Sequence, residues 1–212
     1  MKKLFLCMAF AAYAMCVNAQ TYKETFDTNS LEWTECAFKN NTGTAIIDKG
    51  VMTITSNGAK MGLALLTGNR ADIKAATYYE THCYAPLDVL KPFEIHSMVN
   101  VKKFKEDNLA GLAFNYRDSG NFYCFAFNES FVKFIRYENN EVVGEITQGI
   151  KWRKKRNADM KWSLYSDGGT LSFKIDDVTI LNIRYMPLSY NGFGYYTFGE
   201  QSLTVDEVVF VQ

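Results

Sequence analysis

Apolar and polar residues alternate along much of this chain. Phe93, Ile95, Val99 and Val101 fall on one side of a run whose other side carries Glu94, His96 and Asn100. A period of two is the signature of a strand with one face in a core and the other toward solvent or ligand. Similar runs at 51–55, 77–84, 93–104, 109–116, 122–127, 131–137 and 142–147 predict strands, and 160–165, 171–175, 178–184, 193–198 and 203–211 predict more. The gaps are short and rich in residues that accept left-handed dihedrals, among them Asp118-Ser119-Gly120-Asn121, Glu138-Asn139-Asn140, Asp167-Gly168-Gly169 and Asp176-Asp177. Helical periodicity is nearly absent, and the best stretch, 68–76, predicts a turn or two at most. The pattern predicts an all-β fold, a two-sheet antiparallel sandwich with Trp33, Trp162, Phe114, Phe125, Phe127, Phe134, Phe173 and Phe210 in or near its core.

The N-terminus is different. Met1-Lys2-Lys3 precedes an apolar stretch from 4 to 17, and Val17-Asn18-Ala19 stands before Gln20. This order of charged, apolar and small residues predicts a signal peptide over 1–19 and one domain over 20–212. The stretch is short for a membrane anchor, and Met15 stands where a lipoprotein signal before Cys16 needs a small residue. The expected destination is the periplasm or exterior of a Gram-negative bacterium. Removing the leader leaves Cys36, Cys83 and Cys124, read as buried thiols because no Cys-x-x-Cys pair or His-x-x-x-His spacing signals a metal. The whole chain balances 23 basic against 23 acidic residues, which argues against nucleic acid or anionic lipid as a partner.

Four segments resemble the concanavalin A-like jelly-roll superfamily, in the form of laminin G-like and bacterial sugar-processing accessory domains. They are Tyr22-Lys23-Glu24-Thr25-Phe26-Asp27 with Leu31-Glu32-Trp33; Gly111 to Asp118 with Asn121-Phe122-Tyr123 and Ile135-Arg136-Tyr137; Trp162 to Asp177; and Gly192 to Tyr195 with Val205 to Phe210. The resemblance implies a two-sheet jelly roll and a link to carbohydrate. Enzymes of that superfamily that cut β-glucans carry a Glu-x-Asp-x-x-Glu strand; here no Glu has an Asp two positions later. No Gly-x-Ser-x-Gly elbow, Walker loop or His-Glu-x-x-His helix is present either.

The candidate ligand-binding set is Glu94, His96, Asn115, Arg117, Tyr123 and Arg136, expected on the exposed face or rim of the middle sheet. Aromatic faces there would stack on sugar C–H surfaces while Arg, Asn and carboxylate bond to hydroxyls. The competing reading is ordinary strand polarity and cross-strand packing. Trp152, inside the basic run 151–156, is a second candidate for an acidic glycan, against a solvated loop or guarded edge. Glu24, Asp27 and Asp206 would be calcium ligands if the opening and closing strands lie side by side, as the resemblance implies; no other cofactor is expected. The expected function is therefore an exported, non-catalytic glycan-binding or glycan-associated protein. A secreted glycoside hydrolase with carboxylates scattered over strands, and an envelope interaction scaffold, are the alternatives.

Overall fold

A computed structural model describes residues 20–34, 43–57, 78–102, 108–150 and 158–212. The leader, the 68–76 stretch, Cys36 and the 151–156 run with Trp152 lie outside the described residues.

Among the described residues fourteen strands make two antiparallel sheets. The eight-stranded sheet holds β1 (Thr21–Glu24), β2 (Gly43–Asp48), β3 (Val51–Ser56), β5 (Phe93–Val101), β10 (Met160–Ser166), β11 (Thr170–Ile175), β12 (Val178–Arg184) and β14 (Gln201–Val211). Its order is β12-β11-β10-β5-β14-β3-β2, and β1 joins the far half of β14. The six-stranded sheet runs β4 (Tyr78–Tyr84), β13 (Gly192–Phe198), β6 (Leu109–Asp118), β7 (Asn121–Phe127), β8 (Phe131–Glu138), β9 (Glu141–Gly149). Neighbours such as β5 and β14 are far apart in sequence, so the chain crosses repeatedly between sheets, as a jelly roll does.

The expected tight turns form for the expected reason. Asn139 and Asn140, and again Asp176 and Asp177, have positive φ at both central positions. That is the twist a two-residue hairpin needs, and Asn and Asp tolerate it best after Gly. β2, which the pattern did not predict, pairs with β3 through the Lys49-Gly50 turn.

All eight aromatic residues assigned to the core belong to it, Phe134 only partly buried. The sheets meet through Phe125 stacked on Phe173 at 5.4 Å and Phe127 edge-on to Trp162 at 5.1 Å. Trp33 seals the N-terminal end, 5.6 Å from the Tyr195 ring in a stacked arrangement. Cys83 and Cys124 are free and buried, and burial pushes both thiols up.

The six-stranded sheet is apolar on both faces. Ala110, Leu112, Phe114, Tyr123, Phe125 and Phe127 face the other sheet, while Ala113, Tyr116, Phe122, Cys124, Ala126 and Tyr196 form a second buried cluster outside. Strands buried on both sides read as continuous apolar runs, so alternation in 109–127 is weak.

Candidate functional site

The outer face of the six-stranded sheet opens at its β4 edge. On β4, Tyr79, Thr81 and Cys83 are buried. Strand alternation therefore turns Glu80, His82 and Tyr84 outward. Opposite them in register stand Tyr196, Gly194 and Gly192 of β13. A Cβ on Gly194 would lie 1.9 Å from the Thr81 carbonyl oxygen, so the strands approach there as only glycine permits.

The side chains of this edge form a connected group. The Tyr116 hydroxyl donates to Glu80 Oε1 at 2.9 Å, and Glu80 Oε2 lies 3.3 Å from His82 Nδ1. The His82 ring stacks on Tyr116 with centroids 4.0 Å apart, and Tyr84 meets His82 edge-on at 6.1 Å. The Thr34 hydroxyl reaches the same imidazole at 3.3 Å from Nε2. Glu80 and His82 are largely enclosed, while Tyr84 is 61% exposed. Near the end of the sheet the Arg117 guanidinium sits 5.7 Å from the Tyr190 ring centre and 3.4 Å from Asp118. The Asn121 side-chain amide, with backbone N–H groups and Arg117, holds the Asp118 carboxyl below its ordinary range. An open ring beside a fixed carboxylate and imidazole offers one face for stacking and several polar atoms for hydroxyls.

The residues singled out in the sequence go to four places. Glu94 and His96 lie on the outer face of the eight-stranded sheet, with His96 Nδ1 3.4 Å from Glu94 Oε1 and His96 opposite Ser163. Asn115 and Tyr123 instead are buried between the sheets, with Arg136 beside Tyr123 at the rim, its side chain 42% exposed. Tyr123 shares its parity with Phe125 and Phe127 and is buried, so it cannot lie on an exposed face. Asn115 sits at a register shift with φ 46°, a left-handed conformation that Asn tolerates, and its Oδ1 accepts from the Tyr185 hydroxyl at 3.1 Å. Burial pushes the Tyr185 phenol up to about 12 despite that bond. The Arg136 guanidinium lies 5.8 Å from the Tyr123 ring centre and pairs with Glu138. Arg117 alone falls near the β4 edge, and Trp152 is outside the described residues. The structure thus corrects the single patch: its members do not share a face.

The proposed calcium ligands separate as well, although β1 and β14 do lie side by side. Glu24 is buried and accepts from the Phe26 N–H at 3.0 Å, the Leu31 N–H at 3.2 Å and the Ser30 hydroxyl. Asp27 accepts from the Thr25 hydroxyl at 2.8 Å. Asp206 occupies the bulge of β14, and desolvation with the charges of Asp159 and Glu207 raises its carboxyl. Among the described residues no three His, Cys, Asp or Glu side chains gather as a metal site would require.

Among the described residues the carboxylates of β4 and β9 on the outer face of the six-stranded sheet are equally dispersed. Glu80 is on β4 and Glu145 on β9, the two edges. At about 4.8 Å per strand they stand about 24 Å apart along the sheet. A glycoside hydrolase needs its pair about 5 to 9.5 Å apart.

No family model and no curated sequence matches the chain. Solved structures do. The carbohydrate binding module CBM66 from Bacillus subtilis superposes with a TM-score of 0.54 at 18% identity, over 82% of this chain and 94% of its own. The Bacillus licheniformis beta-glucanase gives 0.58 at 10% identity, over 90% and 97%. The metal-free carbohydrate recognition domain of Emp46p gives 0.55 at 11% identity, over 88% and 90%. Identities this low carry the fold and nothing finer.

Proposed function

Taking as premise that the chain is a concanavalin A-like jelly-roll sandwich, the fold shared by carbohydrate-binding modules, lectins and glycanases, we propose that it is an exported, non-catalytic glycan-binding protein. The observation that carries the reading is the β4 edge, where the exposed Tyr84 ring adjoins the Glu80–His82–Tyr116 group. A sugar lying on Tyr84 would present its C–H face to the ring and its hydroxyls to Glu80 Oε2 and the imidazole. Tyr116 keeps these groups oriented by holding Glu80 from one side and stacking under His82 from the other. Preorganisation of this kind lowers the ordering cost of binding.

Export rests on the leader pattern, and the expected mature N-terminus is Gln20. N-terminal sequencing of the protein recovered outside the cytoplasm should begin there, and an intact Met1 would remove that part of the reading.

A glycan array followed by titration tests the binding. A glycan held at the β4 edge should lose at least about tenfold in affinity, roughly 1.4 kcal/mol, in Tyr84→Ala and in Glu80→Gln. Glu94→Gln, on the other sheet, should bind as the unaltered protein does. A folded protein that binds no glycan overturns the reading, and loss in Glu94→Gln with retention in Tyr84→Ala would move the site to the opposite face.

A further inference from the structure

We propose that β9 is a self-association edge, through which a second copy of this chain pairs antiparallel and joins two six-stranded sheets into one. Among the described residues β9 ends its sheet, hydrogen-bonded to β8 on one side only. Every residue of it except Gly144 is exposed. These include Val142, Val143 and Ile146, at 45%, 50% and 47%. A strand of nine residues with three open apolar side chains, and with one row of backbone donors and acceptors that no other described strand pairs, is a template for another strand.

A bulge at Val143 interrupts this edge near its start, and the stretch from Gly144 to Gly149 beyond it is regular. Glu141-Val142-Val143-Gly144-Glu145-Ile146-Thr147-Gln148-Gly149 has no proline and no lysine. Its one central charge, Glu145, bonds to Lys133 at 2.7 Å and to the Thr147 hydroxyl at 3.0 Å, and Lys133 holds that carboxyl below its ordinary range. A neutralised carboxylate repels an incoming strand weakly. The opposite edge of the same sheet is treated differently, because the Thr34 N–H bonds to the His82 carbonyl at 2.9 Å and the Thr34 carbonyl accepts from the Thr81 hydroxyl.

Charge pattern selects a second copy and a register. A two-fold axis at Ile146 sets Ile146 against its symmetry mate, Glu145 against Thr147 and Gly144 against Gln148, with no like charges opposed. Centring on Glu145 instead would oppose two carboxylates, which destabilises a strand pair. Without the two lysines of the leader the chain carries 21 basic and 23 acidic residues, so two copies have only a small net charge to keep them apart. Ile146 is in register with the partly buried Phe134, so apposed Ile146 side chains would extend the core across the axis.

Sedimentation of the purified protein over a range of concentrations should show a closed monomer–dimer equilibrium. Ile146→Lys, at a side chain already half exposed, should keep its circular dichroism spectrum and weaken that equilibrium at least about tenfold. Cα atoms opposed across strands are about 4.5 to 5.5 Å apart, within disulfide reach. Ile146→Cys should therefore cross-link two copies on mild oxidation, and Glu141→Cys, away from the axis, should not. Three results would each overturn the proposal: a monomer at the highest soluble concentration, an open-ended series of oligomers, or an Ile146→Lys variant that dimerises undiminished. The first would leave the edge to a strand of another protein.

Discussion

Replacing Phe125 by alanine should cost about 3 to 5 kcal/mol, enough to consume much of a typical domain's stability. Phe125 is fully buried, with ring centroids 5.3 Å from Phe114, 5.4 Å from Phe134 and 5.4 Å from Phe173 on the opposing sheet. The loss has two parts, the apolar area no longer removed from water and the cavity that flanking rings, fixed by their strands, cannot fill. For a domain of this size each kcal/mol moves the melting temperature by about 2 to 4 °C, so thermal unfolding should occur about 6 to 20 °C lower. Phe134→Ala, at a partly buried ring, should cost distinctly less. A cycle with Phe173→Ala should show coupling between the two rings, since they touch across the sandwich. Additive losses would mean that the sheets do not meet at this pair.

How far the sequence carried the fold depends on burial. Where a strand buries one face, as in β5, alternation names both the element and its inward side: Phe93, Ile95, Val99 and Val101 are all buried. Where both faces are buried, alternation is erased. In β7, Asn121-Phe122-Tyr123-Cys124-Phe125-Ala126-Phe127 is apolar at nearly every position, so a strand was plain but its parity was not. Tyr123, expected on the exposed face or rim, therefore points inward, while Arg136, its register partner on β8, does stand at the rim. The grouping of Glu94 and His96 with Arg117 failed for another reason. It required knowing which sheet β5 joins, and that depends on pairing with β10 and β14, far away in sequence. The β4 edge did leave a signal, since Glu80, His82 and Tyr84 recur at every second position. What it lacked was Tyr116, brought under His82 only by the intervening strand β13. Asn115 marks a further limit, because a bulge displaces the alternation that a regular strand would keep.

Glu24→Ala should destabilise the N-terminal loop about as severely as the loss of a core ring. The buried carboxylate takes two backbone N–H groups and the Ser30 hydroxyl, and in doing so fixes a segment whose Phe26 and Glu32 both have positive φ. Leaving buried donors unpaired costs roughly 1 to 3 kcal/mol each. The strain of those two backbone conformations would then be opposed only by the hydrogen bonds between Asn29 and Trp33 and by the packing of Phe26 on Trp33. Since Phe26 and Trp33 pack together at 5.7 Å and Trp33 stacks on Tyr195, the change should appear as lost near-ultraviolet dichroism from Trp33 before the sheets themselves unfold. Glu24→Gln keeps one acceptor oxygen and should fall between alanine and the unaltered chain. The same variants decide between two roles for this carboxylate. If it serves only as the acceptor of the loop's donors, calcium should not raise the melting temperature of the unaltered protein. A rise that is lost in both Glu24→Gln and Asp27→Asn would instead make Glu24 and Asp27 calcium ligands, with the loop's hydrogen bonds giving way when the ion binds.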